Sequence, residues 1–202
     1  MTSVGIFIYD DCDLLDVGGP YEVFLTADRL ARRAKKVGVF DVKTVSHDGR
    51  PVTSYGGMGL TPYSSVADNH DFDVIVIPGA VDIESVLSAP EITGAVATLC
   101  QTASVVSSVC TGAFLLGDIG LLQDIDWTTH HEDVDALSKR IDSSRGKTLV
   151  RWADTGRVVT SGGLSSGIAM ALHLVHRIHN KDLATATARQ LEYEWNPNNE
   201  LT

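Results

Sequence analysis

The amino-acid sequence predicts an α/β fold in which a mostly parallel sheet is covered by helices on both faces. Continuous apolar runs at residues 4–9 and 73–78, and a β-branched run before Cys110, are typical of strands buried on both faces. Segments with helical spacing of apolar residues alternate with these strands, which favours parallel pairing. The 202 residues, 44% of them hydrophobic, contain no repeat or linker. One domain spanning residues 1–202 is therefore expected.

The first half of the chain is expected to contain three strands, a small hairpin and one long helix. A polar loop over residues 10–20 should lead into the helix, with Pro20 in the first helical turn, where its missing N–H is tolerated. The hairpin is predicted from a segment rich in glycine and turn-forming residues. The predicted elements are a strand over 4–9, a helix over 21–36, a strand over 39–45, a small hairpin or an irregular excursion over 49–60, and a strand over 73–78.

The second half is expected to alternate helices and strands around Cys110. Ala89 and Pro90 divide a short helix from a longer one within residues 83–101, and the helix after Cys110 should end near Gly120. The glycine pair at 162–163 should lead from a hairpin into an amphipathic helix. The further predictions are a short strand over 126–129, a short helix over 131–140, hairpin strands over 148–153 and 157–161, and helices over 165–179 and 181–194.

Cys110 is predicted to lie where a buried strand turns sharply into a helix. Ser108 and Gly112 stand two residues before and after it, and a tight strand-to-helix turn needs small residues at those positions. The first free N–H groups and the positive helix end should face the sulfur and favour the thiolate. This pattern favours a nucleophile, although a structural cysteine would also be buried.

Several chemically useful residues should converge on the sheet edge that holds Cys110. Sites in open α/β sheets form at the carboxyl ends of the strands. Asp16, expected in the loop before the first helix, is the preferred general acid/base, with Glu22 as its competitor and helix capping as its structural alternative. Backbone N–H groups of Gly79, Ala80 and Thr111 are candidates for stabilising developing negative charge.

The histidines indicate a functional role less clearly than Cys110 and Asp16 do. His130 and His131 should lie on the same edge and could orient or protonate a bound group. The series His173, His176 and His179 steps around its helix instead of converging, so no metal site is predicted there. No glycine-rich phosphate motif follows the first strand, and no cofactor is expected.

Charge and cysteine content restrict the partners and the compartment. Sixteen basic against 26 acidic residues give a formal charge of −10, which argues against nucleic acid or an anionic membrane as partner. Three cysteines without framework spacing favour free thiols in a reducing compartment; Cys12 and Cys100 are interpreted as a loop residue and a core residue. No signal peptide or bilayer-spanning apolar run is apparent in the sequence, so a cytoplasmic protein acting on a small molecule is expected.

With these positions assigned, the chain resembles the ThiJ/PfpI superfamily, whose members are glutamine amidotransferase-like. The resemblance covers nearly the whole length and is carried by five motifs: Leu-Asp-x-x-Gly-Pro over 15–20, Ile-Pro-Gly over 77–79, Val-Cys-Thr-Gly over 109–112, Thr-Thr-His over 128–130, and the glycine-rich segment over 159–167. It implies a flavodoxin-like three-layer sandwich and a homodimer. The first and third motifs, with Arg151-Trp152, look like the branch that holds isonitrile hydratases and the sensor halves of arabinose-operon-type regulators.

The resemblance also implies roles for individual residues. Cys110 would be the nucleophile and Asp16 its acid/base partner, with Thr111 beside them and Gly79 near the developing charge. Gly162 and Gly163 belong to the same motif set and, with His130, are candidates for the pocket. Peptidases of the superfamily have histidine directly after the cysteine, so Thr111 argues against proteolysis.

Three functions remain open at this level. An isonitrile hydratase-like lyase is preferred, in which Cys110 forms a thioimidate that water converts to an N-substituted formamide. The same thiol and acid could serve a glyoxalase or hydrolase acting on small carbonyl compounds. In a redox or small-molecule sensor, Cys110 would be oxidised beside Asp16. Ala80 and His131 depart from the pattern of the branch, where a second glycine and an aromatic residue are common.

Overall fold

A computed structural model describes residues 1–35, 37–68 and 71–199 and places a seven-stranded sheet at the centre of the chain. The strand order is β5-β2-β1-β6-β7-β9-β8, and every neighbouring pair is parallel except β8 and β9. The strands are β1 (Thr2–Phe7), β2 (Phe40–Ser46), β3 (Val52–Thr53), β4 (Gly59–Leu60), β5 (Ser64–Ser65), β6 (Val74–Ile77), β7 (Val105–Ser108), β8 (Trp152–Asp154) and β9 (Val158–Ser161). Strands β3 and β4 form the separate, predicted hairpin.

Helices cover both faces of this sheet and complete the predicted three-layer sandwich. Helices α1, α6 and α7 pack together on one face, and α2, α3, α4 and α5 lie on the other. Their bounds are α1 (Leu14–Lys35), α2 (Ile83–Leu87), α3 (Pro90–Thr102), α4 (Gly112–Asp118), α5 (Val134–Arg140), α6 (Ser165–Ile178) and α7 (Lys181–Gln190). The central strands β6 and β7 are buried throughout, as their apolar runs predict.

The start of α1 was predicted incorrectly. The helix begins at Leu14 instead of Tyr21, so Asp16 lies in its first turn and Pro20 in its interior. Glycines and a proline disfavour a helix interior locally, but here they allow close packing on α6. A Cβ at Gly19 would lie 2.9 Å from Ile168 Cγ1. The predicted last residue of this helix, Lys36, lies outside the described residues, as do residues 200–202 of the predicted domain.

Smaller elements also differ from the prediction: β8 begins at Trp152 instead of residue 148, α5 begins at Val134 instead of residue 131, and α7 ends at Gln190 instead of residue 194. Residues 126–129 form a single bridge between Trp127 and Gly146 instead of a strand. The ladder stops there because the Thr128 N–H donates to the Thr160 hydroxyl at 2.8 Å. The two-residue edge strand β5 was not predicted, since two serines carry no apolar pattern. None of the described helices has both the length and the apolar character needed to cross a bilayer.

Candidate active site

Cys110 occupies the sharp turn between β7 and α4 with a left-handed backbone, at φ 55°. This conformation is strained for a residue with a side chain, and three hydrogen bonds hold it. The Cys110 N–H donates to the Gly162 carbonyl at 3.2 Å, and the Cys110 carbonyl accepts from Thr129 Oγ1 at 2.8 Å and from the Ala113 N–H at 3.4 Å. Strand β9 and the segment before α5 therefore fix the turn from both sides.

Glycine is required two residues after the cysteine because the backbones approach closely. A Cβ on Gly112 would lie 2.8 Å from the Pro78 carbonyl oxygen and closer still to that of Ile77. A Cβ on Gly79 would lie 2.7 Å from the Thr111 backbone nitrogen. The small residues predicted from the sequence thus let the turn after β6 and the turn after β7 pack against each other.

Asp16 is fully buried beside this turn. Its Oδ2 accepts a hydrogen bond from the Gly79 N–H at 3.0 Å, while its Oδ1 has no hydrogen-bond partner among the described residues. Burial raises the pKa of Asp16 to about 7 and the neighbouring carboxylate of Asp13 adds to this rise, whereas the Gly79 N–H and, more weakly, the Leu164 N–H oppose it. The competitor Glu22 is exposed and accepts a bond from Thr26. Of these two candidates, Asp16 is therefore the one that lies at the cysteine.

The Cys110 thiol is not the acidified group that the helix terminus predicts. Burial raises the pKa of Cys110 to about 12, and the negative charge of Asp16 raises it further, whereas the Thr111 N–H lowers it. The helix contributes a single favourable N–H, and burial together with nearby carboxylates outweighs it. The carboxylate of Asp16 lies within 4.8 Å of the sulfur. A proton moving from sulfur to Asp16 can therefore accompany bond formation to a substrate.

Two of the three N–H groups predicted to stabilise negative charge already have protein acceptors. The Gly79 N–H donates to Asp16, and the Ala80 N–H donates to Thr111 Oγ1 at 2.9 Å. The Thr111 hydroxyl in turn donates to the Ala80 carbonyl at 2.8 Å. Thr111 therefore fixes the loop after β6 with its side chain, and its backbone N–H is the group that acts on the sulfur.

Asp13 is a member of the site that the sequence interpretation missed. Its carboxylate lies within 4.8 Å of both the Asp16 carboxylate and the Cys110 sulfur, and its N–H donates to the Gly79 carbonyl at 2.9 Å. Burial raises the pKa of Asp13, and His130 opposes this rise. The three-residue spacing of Asp13 and Asp16 would have placed them on one helix face, had the start of α1 been assigned correctly.

The remaining predicted pocket residues lie at the same edge. A Cβ on Gly163 would collide with the His130 ring, so glycine makes room for this imidazole. His130 Nδ1 also lies 3.4 Å from Asp133 Oδ2, and the His130 ring packs against that of His131, with 4.4 Å between the ring centroids. Gly162 contributes the carbonyl that accepts from Cys110 and donates its own N–H to Arg151.

The histidine series on α6 does not converge, in agreement with its predicted spacing. His173 Nε2 lies 2.7 Å from Asp154 Oδ2 and its ring stacks on Trp152, whereas His176 meets the ring of Trp195. His179 bonds its neighbour Asn180. All three cysteines are free and buried, and burial raises the pKa of Cys12 to about 11 and that of Cys100 to about 12.

A cavity of about 640 Å³ lies at the carboxyl ends of β1, β2 and β6. Its lining includes Tyr9, Asp10 and Val81 but not Cys110 or Asp16. Cys110 is only 5% exposed. The cavity and the cysteine are thus separate features of one sheet edge.

Known proteins resemble this chain over most of its length. Residues 2–177 match the DJ-1/PfpI family. An isonitrile hydratase from Pseudomonas putida is 30% identical over 191 residues, which cover 95% of this chain and 78% of that protein. The HTH-type transcriptional regulator GbdR from Pseudomonas aeruginosa is 27% identical over 192 residues, and the chain spans about half (51%) of its length. The crystal structure of a ThiJ/PfpI family protein from Pseudomonas syringae superposes with a TM-score of 0.83 at 23% identity, covering 97% of this chain and 76% of that one.

Proposed function

The chain belongs to the DJ-1/PfpI family, and from this premise we propose that it is a cysteine-dependent lyase that hydrates an isonitrile to an N-substituted formamide. The observation that carries the proposal is the pairing of Cys110 with a buried carboxylate whose Oδ1 has no partner among the described residues. Nucleophilic catalysis needs such an acid/base group beside its nucleophile. The 30% identity with an isonitrile hydratase supports the substrate class.

The first step forms a bond between sulfur and carbon. The Cys110 thiol gives its proton to the Asp16 carboxylate while a sulfur electron pair adds to the terminal carbon of the isonitrile. Asp16 then returns the proton to that carbon, which gives a thioimidate, R–N=CH–S–Cys110. Because the thiol pKa lies near 12, a preformed thiolate is rare at neutral pH, and proton transfer to Asp16 must accompany attack.

The second step adds water and releases the product. The Asp16 carboxylate accepts a proton from water as the water oxygen attacks the thioimidate carbon, and it then passes this proton to the substrate nitrogen, which leaves the carboxylate ionised again. The tetrahedral adduct then loses its C–S bond, the hydroxyl proton passes through Asp16 to sulfur, and R–NH–CHO leaves. The sum is R–NC plus water to R–NHCHO, with the thiol and the carboxylate regenerated.

Thr111 serves in this proposal as a positioning residue. Its hydroxyl bonds both the N–H and the carbonyl of Ala80, so it holds the loop after β6 against the cysteine turn. His130 and the glycine pair 162–163 form one side of the proposed pocket. The substrate is a small molecule, and we propose a homodimer as the assembled form, to be tested by light scattering of the purified chain.

The experiment compares Cys110→Ala and Asp16→Asn with the unaltered chain on a simple isonitrile, with formamide production as the readout. Both variants should lose at least a factor of about 100 in kcat, the lower range for loss of a positioned base. Glu22→Gln removes a carboxylate from the exposed face of the same helix and should keep normal turnover. Undiminished turnover in Cys110→Ala or Asp16→Asn would contradict the assigned roles.

A small-molecule sensor is the second candidate, supported by the 27% identity with a transcriptional regulator. Oxidation of Cys110 as the sensing event is less favoured, because oxidant-sensing cysteines are exposed and acidified, whereas this thiol is buried with a raised pKa. A screen of isonitriles, aldehydes and small amides separates the functions. Saturable binding without turnover of any of these compounds supports the sensor.

A further inference from the structure

Two carboxylates and a thiol, from two different parts of the chain, meet at the cysteine turn. One oxygen each of Asp13 and Asp16 and the Cys110 sulfur all lie within 4.8 Å of one another. Asp16 and Cys110 are buried and Asp13 is partly buried. The proposed hydration uses Cys110 and Asp16, but it gives Asp13 no direct contact with substrate.

A second, independent feature of this cluster is the free oxygen of Asp16. The residue is 0% exposed, yet its Oδ1 has no hydrogen-bond partner among the described residues. A buried oxygen without a partner costs about 1–3 kcal/mol relative to one that is bonded. An atom of this kind beside a thiol and a second carboxylate is where a cation would recover that cost.

The charges of the cluster also favour a bound cation. Burial raises the pKa values of all three groups; the charge of Asp13 adds to the rise at Asp16, and the charges of Asp16 and Asp13 add to the rise at Cys110. Asp133 adds further negative potential at the sulfur, and His130 is the opposing group near Asp13. A divalent cation at the centre would offset the negative potential that Asp16, Asp13 and Asp133 create at the sulfur.

We propose that Asp13, Asp16 and Cys110 form a binding site for a thiophilic divalent cation, zinc above all, which holds the nucleophile in a blocked state. A thiolate with two carboxylates is a donor set that zinc accepts and that magnesium or calcium does not favour. Donor atoms of a tetrahedral zinc site lie about 3.5 Å apart, and the three donor atoms here lie within 4.8 Å of one another, so they must draw closer around the ion. Water would complete the coordination.

Zinc binding requires proton release. The Cys110 S–H bond breaks, a sulfur–zinc bond forms from the same electron pair, and the proton leaves to solvent. Where the Asp16 carboxyl group is protonated, it releases a second proton on binding zinc. Affinity should therefore rise with pH, as it does for any site whose ligands must be deprotonated.

A competing cluster makes the test specific. His130, His131 and Glu132 also bring three donor atoms within 4.8 Å of one another, but they are consecutive and two of them are exposed. A surface cluster of this kind binds metal weakly and without a thiolate. Zinc affinity alone therefore does not identify the site, and the readout must show whether a sulfur atom binds the metal.

The experiment titrates the full chain with zinc in competition with a chromophoric chelator, and with cobalt to follow the sulfur-to-metal charge-transfer absorption. We expect one zinc per chain and a charge-transfer band that is absent in Cys110→Ser. Asp13→Asn should bind at least about tenfold more weakly. Cys100→Ser, and the double variant His131→Ala with Glu132→Gln, should keep both the band and the affinity.

Three results would overturn the proposal: no zinc binding by the unaltered chain, a band that persists in Cys110→Ser, or binding that disappears only in the double variant. If Cys110→Ser does not fold, the protection of the Cys110 thiol by zinc is measured in the unaltered chain instead. Zinc should slow alkylation of the peptide that contains Cys110, and unchanged alkylation rejects the site. No turnover is measured, so this outcome is independent of the proposed hydration.

Discussion

The hydroxyl of Thr129 donates a 2.8 Å hydrogen bond to the carbonyl oxygen of Cys110. Both residues are buried, and the bond connects the segment before α5 to the residue with the left-handed backbone. A strained conformation persists only when its surroundings fix it. The geometry of the Cys110 turn therefore depends on a threonine nineteen positions further along the chain.

Thr129→Val removes this bond while keeping the volume of the side chain. The Cys110 carbonyl loses its best donor, so the free energy of unfolding should fall by about 1–2 kcal/mol, and the rate of Cys110 alkylation should change as the turn relaxes. Chemical denaturation and alkylation kinetics measure the two effects. Thr128→Val is the matched control, because it removes a 2.8 Å bond to the Lys147 carbonyl and should lower stability without altering alkylation. Equal alkylation rates in both variants would contradict the role of Thr129.

Asp16→Asn should change how stability depends on pH. The pKa of Asp16 rises from 3.8 to about 7 on folding, so the folded chain binds the extra proton, and stability is lost as pH rises from about 4 to about 7. A rise of three pKa units corresponds to a loss of roughly 4 kcal/mol in the free energy of unfolding as pH increases. Asparagine is neutral at every pH, so the variant does not incur this loss. The stability of Asp16→Asn relative to the unaltered chain should therefore increase by up to about that amount between pH 4 and pH 8. Urea denaturation at several pH values tests this, and Glu22→Gln, on the exposed face of α1, should show no such trend.

Asp13→Asn should move the acid limb of the pH–rate profile. In the proposed mechanism Asp16 must be ionised to accept the thiol proton, so kcat/KM rises with pH through the pKa of Asp16. The charge of Asp13 raises that pKa, and removing it should shift the limb to lower pH. Profiles of kcat/KM on an isonitrile measure the shift. A limb that stays in place, or moves to higher pH, would show that Asp13 does not act on Asp16.

Gly112→Ala should be severely destabilising, because its Cβ would overlap two backbone carbonyl oxygens that cannot move aside as side chains can. We expect a loss of at least about 3 kcal/mol or failure to accumulate folded protein. Gly94→Ala is the contrasting variant: nothing lies within 4 Å of its added Cβ in α3, and alanine should stabilise the helix by about 0.5–1 kcal/mol. Denaturation curves of the two variants should move in opposite directions, and similar losses in both would contradict the role of the close approach.

The sequence determined the fold class and the residues at the strand ends. Apolar runs such as that of β6 indicate burial on both faces, and parallel pairing brings their carboxyl ends to one edge. The motifs around Asp16, Cys110 and Gly162 also identified the family that the match over residues 2–177 confirms. The charge balance and the spacing of the α6 histidines were likewise readable from the sequence alone.

Tertiary packing decided the rest. Helix α1 starts at Leu14, against local propensity, and its Gly19 lies closely against Ile168 of α6. This start places Asp13 and Asp16 together beside the sulfur. The pKa of Cys110 is raised, not lowered, because desolvation and neighbouring carboxylates depend on which groups the folded chain brings together. A sequence records which residues follow one another, whereas burial and charge at a site depend on residues distant in the chain, and only the folded structure brings those together.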